Sequence, residues 1–137
     1  MTLRTGIDLC DISRLREAVE RQGERLLARV FTAVEREQCG ENYASLAARF
    51  AAKEAVGKAL GTGLGPVAFT DIEIVRGENR EPILRLHGKA LEKANALNLT
   101  EWAISLSHTQ EYALASVVAL SQTPRASGQE ARDAATG

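Results

Sequence analysis

The stretch at residues 45–60, SLAARFAAKEAVGKAL, constrains the fold more than any other part of the chain. Alanine and leucine dominate it, Ser45 stands where a helix cap belongs, and Gly61 ends it, so it reads as a helix. Small side chains let other backbone approach closely, which predicts the central, buried helix of the fold. Yet Arg49, Lys53, Glu54 and Lys58 fall within ten residues of this small and apolar sequence. Charges that dense on a helix of this kind call for partners or for chemistry. Glu54 and Lys58 are four residues apart, neighbours on one face at about 6 Å along the axis, and Phe50 shares their stripe. By spacing alone they are an ordinary ion pair of a solvated helix face.

The rest of the chain supplies strands and short helices. Residues 3–9 alternate, with Leu3, Thr5, Ile7 and Leu9 on one face and Arg4, Gly6 and Asp8 on the other, so a strand carries Asp8 opposite its apolar side. Asp11 or Ser13 can cap a helix over 14–22, which Gly23 stops. A short helical piece holds Leu26, Leu27 and Val30, and Thr32 with Glu35 has the form of a capping box. Residues 39–43 read as a connection, and the glycine-rich 61–66 as a loop into a strand at 69–75. A hairpin connection at 76–81 returns as a strand at 83–86, and 89–95 forms a surface helix. Two further strands, 102–107 and 112–120, flank the polar loop 108–111. The fold class is α+β, a mainly antiparallel sheet packed against the long central helix.

At 137 residues the chain has the size of one domain, residues 1–120. Residues 121–137 contain no apolar side chain larger than alanine and read as a disordered tail. A hydrophobic share of 45% with 26% charged residues fits a globular protein, and a net charge of −1 gives no bias toward nucleic acid or membrane. No apolar run reaches signal-peptide or membrane-spanning length, so a cytoplasmic protein is expected. Cys10 and Cys39 lack the spacing of a zinc site or a disulfide framework and read as reduced, buried thiols.

A magnesium site needs oxygen ligands from rigid elements, with its other positions filled by water and phosphate. A strand carboxylate, Asp8, facing a helix carboxylate, Glu54, meets that need, and Lys58 one turn on could neutralise phosphate charge. Without metal the two acids repel and one tends to hold a proton. Alone, Asp8 is equally a turn or capping carboxylate. The serines and imidazole of Ser105-Leu106-Ser107-His108 lack the G-x-S-x-G context of a nucleophile elbow, and phosphate binding or a structural bond suits His108 better. His87 reads as a solvated loop residue. The loop GTGLGP follows a helix, unlike a Walker loop, and is no nucleotide fingerprint.

Taken together and in order, Gly6-Ile7-Asp8-Leu9, Arg49-Phe50-Ala51-Ala52-Lys53-Glu54-Ala55 with Lys58-Ala59-Leu60-Gly61, and Ser105-Leu106-Ser107-His108 resemble the holo-acyl-carrier-protein synthase family. The resemblance spans about residues 4–119 and implies a 4′-phosphopantetheinyl transferase fold. It also implies that Asp8 and Glu54 bind magnesium with the pyrophosphate of coenzyme A. Lys58 would assist at the phosphates, and Arg49 and His108 would stand near the adenosine 3′-phosphate. The implied reaction moves 4′-phosphopantetheine to a serine of an apo acyl carrier protein, with Glu54 accepting the serine proton. A homotrimer with sites at subunit interfaces is implied by the same analogy. Carrier proteins of this kind are acidic, which makes the Arg14 and Arg21 face, with Arg25, the expected docking surface. Thr109 stands where many members carry Asp, so no role for that acid is transferred. Two other readings stay open: a non-catalytic module that binds coenzyme A or carrier protein, and another magnesium-dependent phosphoryl-transfer enzyme.

Overall fold

The computed structural model describes residues 1–122. In chain order these form β1 (Thr2–Asp11), α1 (Ile12–Gln22), α2 (Glu24–Val30), α3 (Ala33–Cys39), α4 (Tyr43–Leu60), a 3-10 turn (Phe69–Asp71), β2 (Ile72–Arg76), β3 (Pro82–Leu86), α5 (Gly88–Ala96), β4 (Leu99–His108) and β5 (Tyr112–Ser121). Two antiparallel sheets result, a three-stranded one in the order β1-β5-β4 and the β2-β3 hairpin. The tail expected at 121–137 falls outside the described residues from 123 on. Ser121 still belongs to β5, where its hydroxyl donates to the Leu97 carbonyl at 2.8 Å. No helix among the described residues is long and apolar enough to cross a membrane.

The alanine-rich segment is the centre of the fold. It begins three residues earlier than the Ser45 cap implies, because Asn42 is the cap and accepts from the Ser45 amide at 3.0 Å. Gly61 closes it in the left-handed conformation. Helix α4 is buried on nearly all sides, with Ala47, Ala51, Ala52, Ala55 and Ala59 sealed from solvent. Across from it the inner face of β5 offers Ala113, Ala115, Val117 and Ala119, equally small and equally buried. Alanine against alanine brings helix and sheet close together, and at Gly6 the approach leaves no room for a side chain. A Cβ on that residue would lie 1.8 Å from the Ala55 carbonyl oxygen.

That approach decides which of the two faces of β1 turns inward, and it is not the apolar one. Gly6 and Cys10 face α4, whereas Leu3, Ile7 and Leu9 are 67%, 58% and 57% exposed. Leu114 and Val118 of β5 share this outer face, since Leu9 pairs with Leu114 and Thr5 with Val118. Alternation located the two faces correctly, but only the bulk of α4 decides that the face with glycine turns inward.

The short helices behave as their caps require. Asp11 accepts from the Arg14 amide at 3.2 Å to start α1. Thr32 and Glu35 form the capping box of α3, each side chain accepting from the other residue's amide. The strand read at 69–75 is split, its first three residues coiling into the 3-10 turn before β2. Cys10 and Cys39 are free and buried.

Candidate active site

The charged residues of α4 divide between two faces. On one, Lys53 is completely buried and donates to Glu35 at 2.8 Å, to the Phe69 carbonyl at 3.0 Å and to the Ile72 carbonyl. Glu35 also accepts from the Thr32 amide and, at 2.9 Å, from the Ile74 amide, so every polar atom of this buried pair is engaged. Lys53 thus ties α4 to α3 and β2. The network continues through Thr32, which donates to Glu73, and His87, whose Nε2 lies 3.1 Å from Glu73. His87 is half exposed, but it has a partner that its loop position in the sequence conceals.

On the other face, Lys58 reaches β1, donating to Asp8 at 2.9 Å and to the Ile7 carbonyl at 2.8 Å. The pair sequence spacing would join, Glu54 with Lys58, gives way to a pair between strand and helix. Glu54 is half-buried beside them. Burial pushes its carboxyl above the ordinary value, the Asp8 charge adds to the rise, and the Lys58 ammonium opposes it. The same surroundings act on Cys10: burial first, then Asp8, Asp11 and Glu54 push its thiol up to about 11, so it stays protonated and is no nucleophile. Asp8, Glu54 and Lys58 are therefore one cluster, assembled because glycine at position 6 lets β1 lie on α4.

Two carboxylates against one ammonium leave an uncompensated negative charge, and their oxygens are the hard donors that magnesium prefers. Among the described residues no group of three or more His, Cys, Asp or Glu side chains could hold a metal alone. Two carboxylates suit an ion that completes its shell with water and phosphate, so the residues present fit magnesium.

A separate pocket of ≈ 350 Å³ opens between the start of α4, the β2-β3 hairpin and the end of β4. Arg49 and His108 both line it, as do Ser105 and Ser107. Arg49 is 6% exposed and held by the Ile74 carbonyl at 3.0 Å and Gln38 Oε1 at 3.2 Å. His108 is exposed, with Nδ1 3.2 Å from the Thr109 carbonyl. Arg76 and Arg80 line the same pocket and were missed in the sequence, where they sit in a hairpin connection with no spacing that relates them to Arg49. The apolar wall comes from Ile74, Pro82, Ile104 and Leu106, and no acid among the described residues lines the pocket.

Arg14, Arg21 and Arg25 are all exposed on α1 and α2, and none forms an ion pair among the described residues. Arg14 also borders an apolar cleft of ≈ 360 Å³ whose walls include Leu15, Leu26 and Phe50, with Arg29 opposite. Neither Arg29 nor the cleft is visible in the sequence pattern.

Comparison with known proteins agrees with this architecture. The chain is 51% identical over 129 residues to the holo-[acyl-carrier-protein] synthase of Chloroflexus aggregans, covering 83% of this chain and 92% of that one. It is 45% identical over 125 residues to the protein of the same name from Herpetosiphon aurantiacus, covering 86% and 98%. Among solved structures, Helicobacter pylori holo-[acyl-carrier-protein] synthase in complex with coenzyme A superimposes with a TM-score of 0.78 at 34% identity, over 85% of this chain and 99% of that one. Residues 4–117, which include β1 from Arg4 onward, α4 and the whole of β4, match one family model, and the chain belongs to that family, the 4′-phosphopantetheinyl transferase superfamily.

Proposed function

We propose that this chain is a holo-[acyl-carrier-protein] synthase, which transfers the 4′-phosphopantetheine moiety of coenzyme A to a serine of apo acyl carrier protein and releases adenosine 3′,5′-bisphosphate. The observation that carries the reading is the convergence of Asp8, Glu54 and Lys58, in a chain 51% identical to an enzyme of that name.

On this reading Asp8 and Glu54 hold magnesium. That ion, when bound, offsets charge on the pyrophosphate oxygens. Lys58 contributes an ammonium to the same phosphates. The carrier serine oxygen attacks the β-phosphorus in line, its bond forming as the bond to the bridging pyrophosphate oxygen breaks. Glu54, directly or through a water, accepts the serine proton. The leaving group departs with both of its phosphates, and no covalent enzyme intermediate is required.

Arg49 and His108 are assigned to the adenosine 3′-phosphate, supported by a pocket lining that holds no acid among the described residues. Arg14, Arg21 and Arg25 are assigned to docking an acidic carrier protein, supported by their exposure and lack of ion-pair partners among the described residues. We further read the chain as a homotrimer. The support is the outer face of the sheet, where Leu3, Ile7, Leu9, Leu114 and Val118 form an apolar surface that a lone subunit leaves in water. A cytoplasmic location accords with two cysteines left as free, buried thiols.

The test is to incubate the purified protein with coenzyme A, magnesium and apo acyl carrier protein, then to weigh the carrier. A mass gain equal to phosphopantetheine, dependent on all components, is the expected result. Binding of coenzyme A without any mass gain would instead identify a non-catalytic module.

A further inference from the structure

The pocket beside Arg49 carries more positive charge than the residues assigned to it so far. Three arginines, Arg49, Arg76 and Arg80, line it with His108, Ser105 and Ser107, and no acidic residue among those described lines it. Two of the three are already committed to the protein. Arg49 donates to the Ile74 carbonyl and to Gln38 Oε1, and Arg76 donates to the Gln38 carbonyl at 3.3 Å. Arg80 differs: among the described residues its side chain makes no hydrogen bond and no ion pair. The neighbouring acid, Glu81, is turned back into the hairpin, where it accepts from the Asn79 amide at 2.8 Å.

The backbone at this point is equally unusual. Arg80 has φ 65°, and its amide closes the turn onto the Gly77 carbonyl at 3.0 Å. Only one other non-glycine residue among those described, Asn98, is left-handed, and asparagine tolerates that conformation far better than arginine. A position that glycine would occupy without strain is thus filled by the longest cationic side chain, on a residue that lines a pocket with no acid among the described residues. Local folding gains nothing from arginine here, so the side chain must be accounted for by what it reaches.

We propose that Arg80 is a specificity-determining residue that binds the 3′-phosphate of coenzyme A and so favours coenzyme A over its 3′-dephospho form. The inference rests on the reading that this pocket receives the adenosine 3′-phosphate. A phosphate monoester is a dianion near neutral pH, with three terminal oxygens to satisfy. Arg49 and Arg76 enter the pocket with donors already spent on Gln38 and Ile74, whereas the uncommitted guanidinium of Arg80 can offer two parallel N–H donors. An adenosine lacking the 3′-phosphate would still meet the apolar wall of Ile104, Leu106 and Pro82 but would gain nothing from Arg80.

The decisive variant is Arg80→Gly, which removes the guanidinium while suiting the left-handed backbone, so the fold should hold or gain stability. With coenzyme A as donor, KM should rise about tenfold at unchanged kcat, the pattern of lost ground-state binding. With 3′-dephospho-coenzyme A, KM should stay at the wild-type value. Calorimetric titration gives a readout independent of turnover. Adenosine 3′,5′-bisphosphate should bind Arg80→Gly about tenfold more weakly than wild type, and adenosine 5′-monophosphate equally to both. Equal losses for donors with and without the 3′-phosphate, or no loss for either, would overturn the role of Arg80. If wild type itself fails to prefer the bisphosphate over the monophosphate, the assignment of the pocket falls, and the proposal with it.

Discussion

Lys53 Nζ lies 2.8 Å from Glu35 Oε1, and neither side chain has any exposure to solvent. Burial disfavours the ammonium, and the Glu35 charge and hydrogen bond oppose that effect. Removing one partner strands the other. Lys53→Met should therefore lower unfolding stability by about 3–5 kcal/mol in urea denaturation, while Lys53→Met combined with Glu35→Gln should lose clearly less than the two single losses summed. Strict additivity would show that the pair does not act as a unit.

Glu73 predicts a pH dependence. Burial raises its carboxyl, but hydrogen bonds from Thr32 and His87, with the charges of His87 and Arg85, outweigh it and hold the group below its ordinary value of 4.5. A carboxyl depressed in the folded state contributes stability above its unfolded pKa and loses it as pH falls through the folded one. Glu73→Gln should cost about 1–2 kcal/mol at pH 7, and the gap from wild type should close as pH drops below 4.5. Chemical denaturation at the two extremes of that range measures it, and a gap that widens in acid would refute the assignment.

Gly6 sets the separation of β1 from α4. In Gly6→Ala the new methyl would lie 1.8 Å from the Ala55 carbonyl oxygen, and both atoms belong to rigid elements. The expected loss is about 1–3 kcal/mol, read as a lower melting temperature. Because Asp8 follows two residues on along the same face, kcat/KM should fall too, and by more than stability alone explains at a temperature where the variant is folded.

Asp8→Ala and Glu54→Ala should each reduce transfer by about a thousandfold or more, with melting temperatures near that of wild type. A chelator should do the same to the unaltered protein, and added magnesium should restore it. Turnover close to wild type in either variant would remove the carboxylate pair from the mechanism.

What could be read in the sequence was what repeats locally. The helical period and glycine stop of α4, the Thr32 and Glu35 capping box and the β4-β5 hairpin all depend on neighbours within a few residues, and the structure has them. The inward face of β1 could not be read that way. Hydrophobicity favoured Leu3, Ile7 and Leu9, and the close packing of an alanine helix favoured Gly6 instead. The charges of α4 show the same limit. Spacing placed Lys53, Glu54 and Lys58 together, but a step of one residue turns a helix by about 100°, which sends Lys53 to Glu35 and leaves Glu54 near Asp8. Arg76 and Arg80 join Arg49 only because the hairpin folds over the start of α4, a contact across some thirty residues that no local pattern encodes.

The contact of Gly6 in β1 with the Ala55 carbonyl of α4 means that the gap separating the strand acid from the helix acid is gauged by main chain rather than by adjustable side-chain packing. Substitution elsewhere can then accumulate without changing that spacing. A homologous structure can share only 34% of its residues with this chain and still superimpose on it with a TM-score of 0.78.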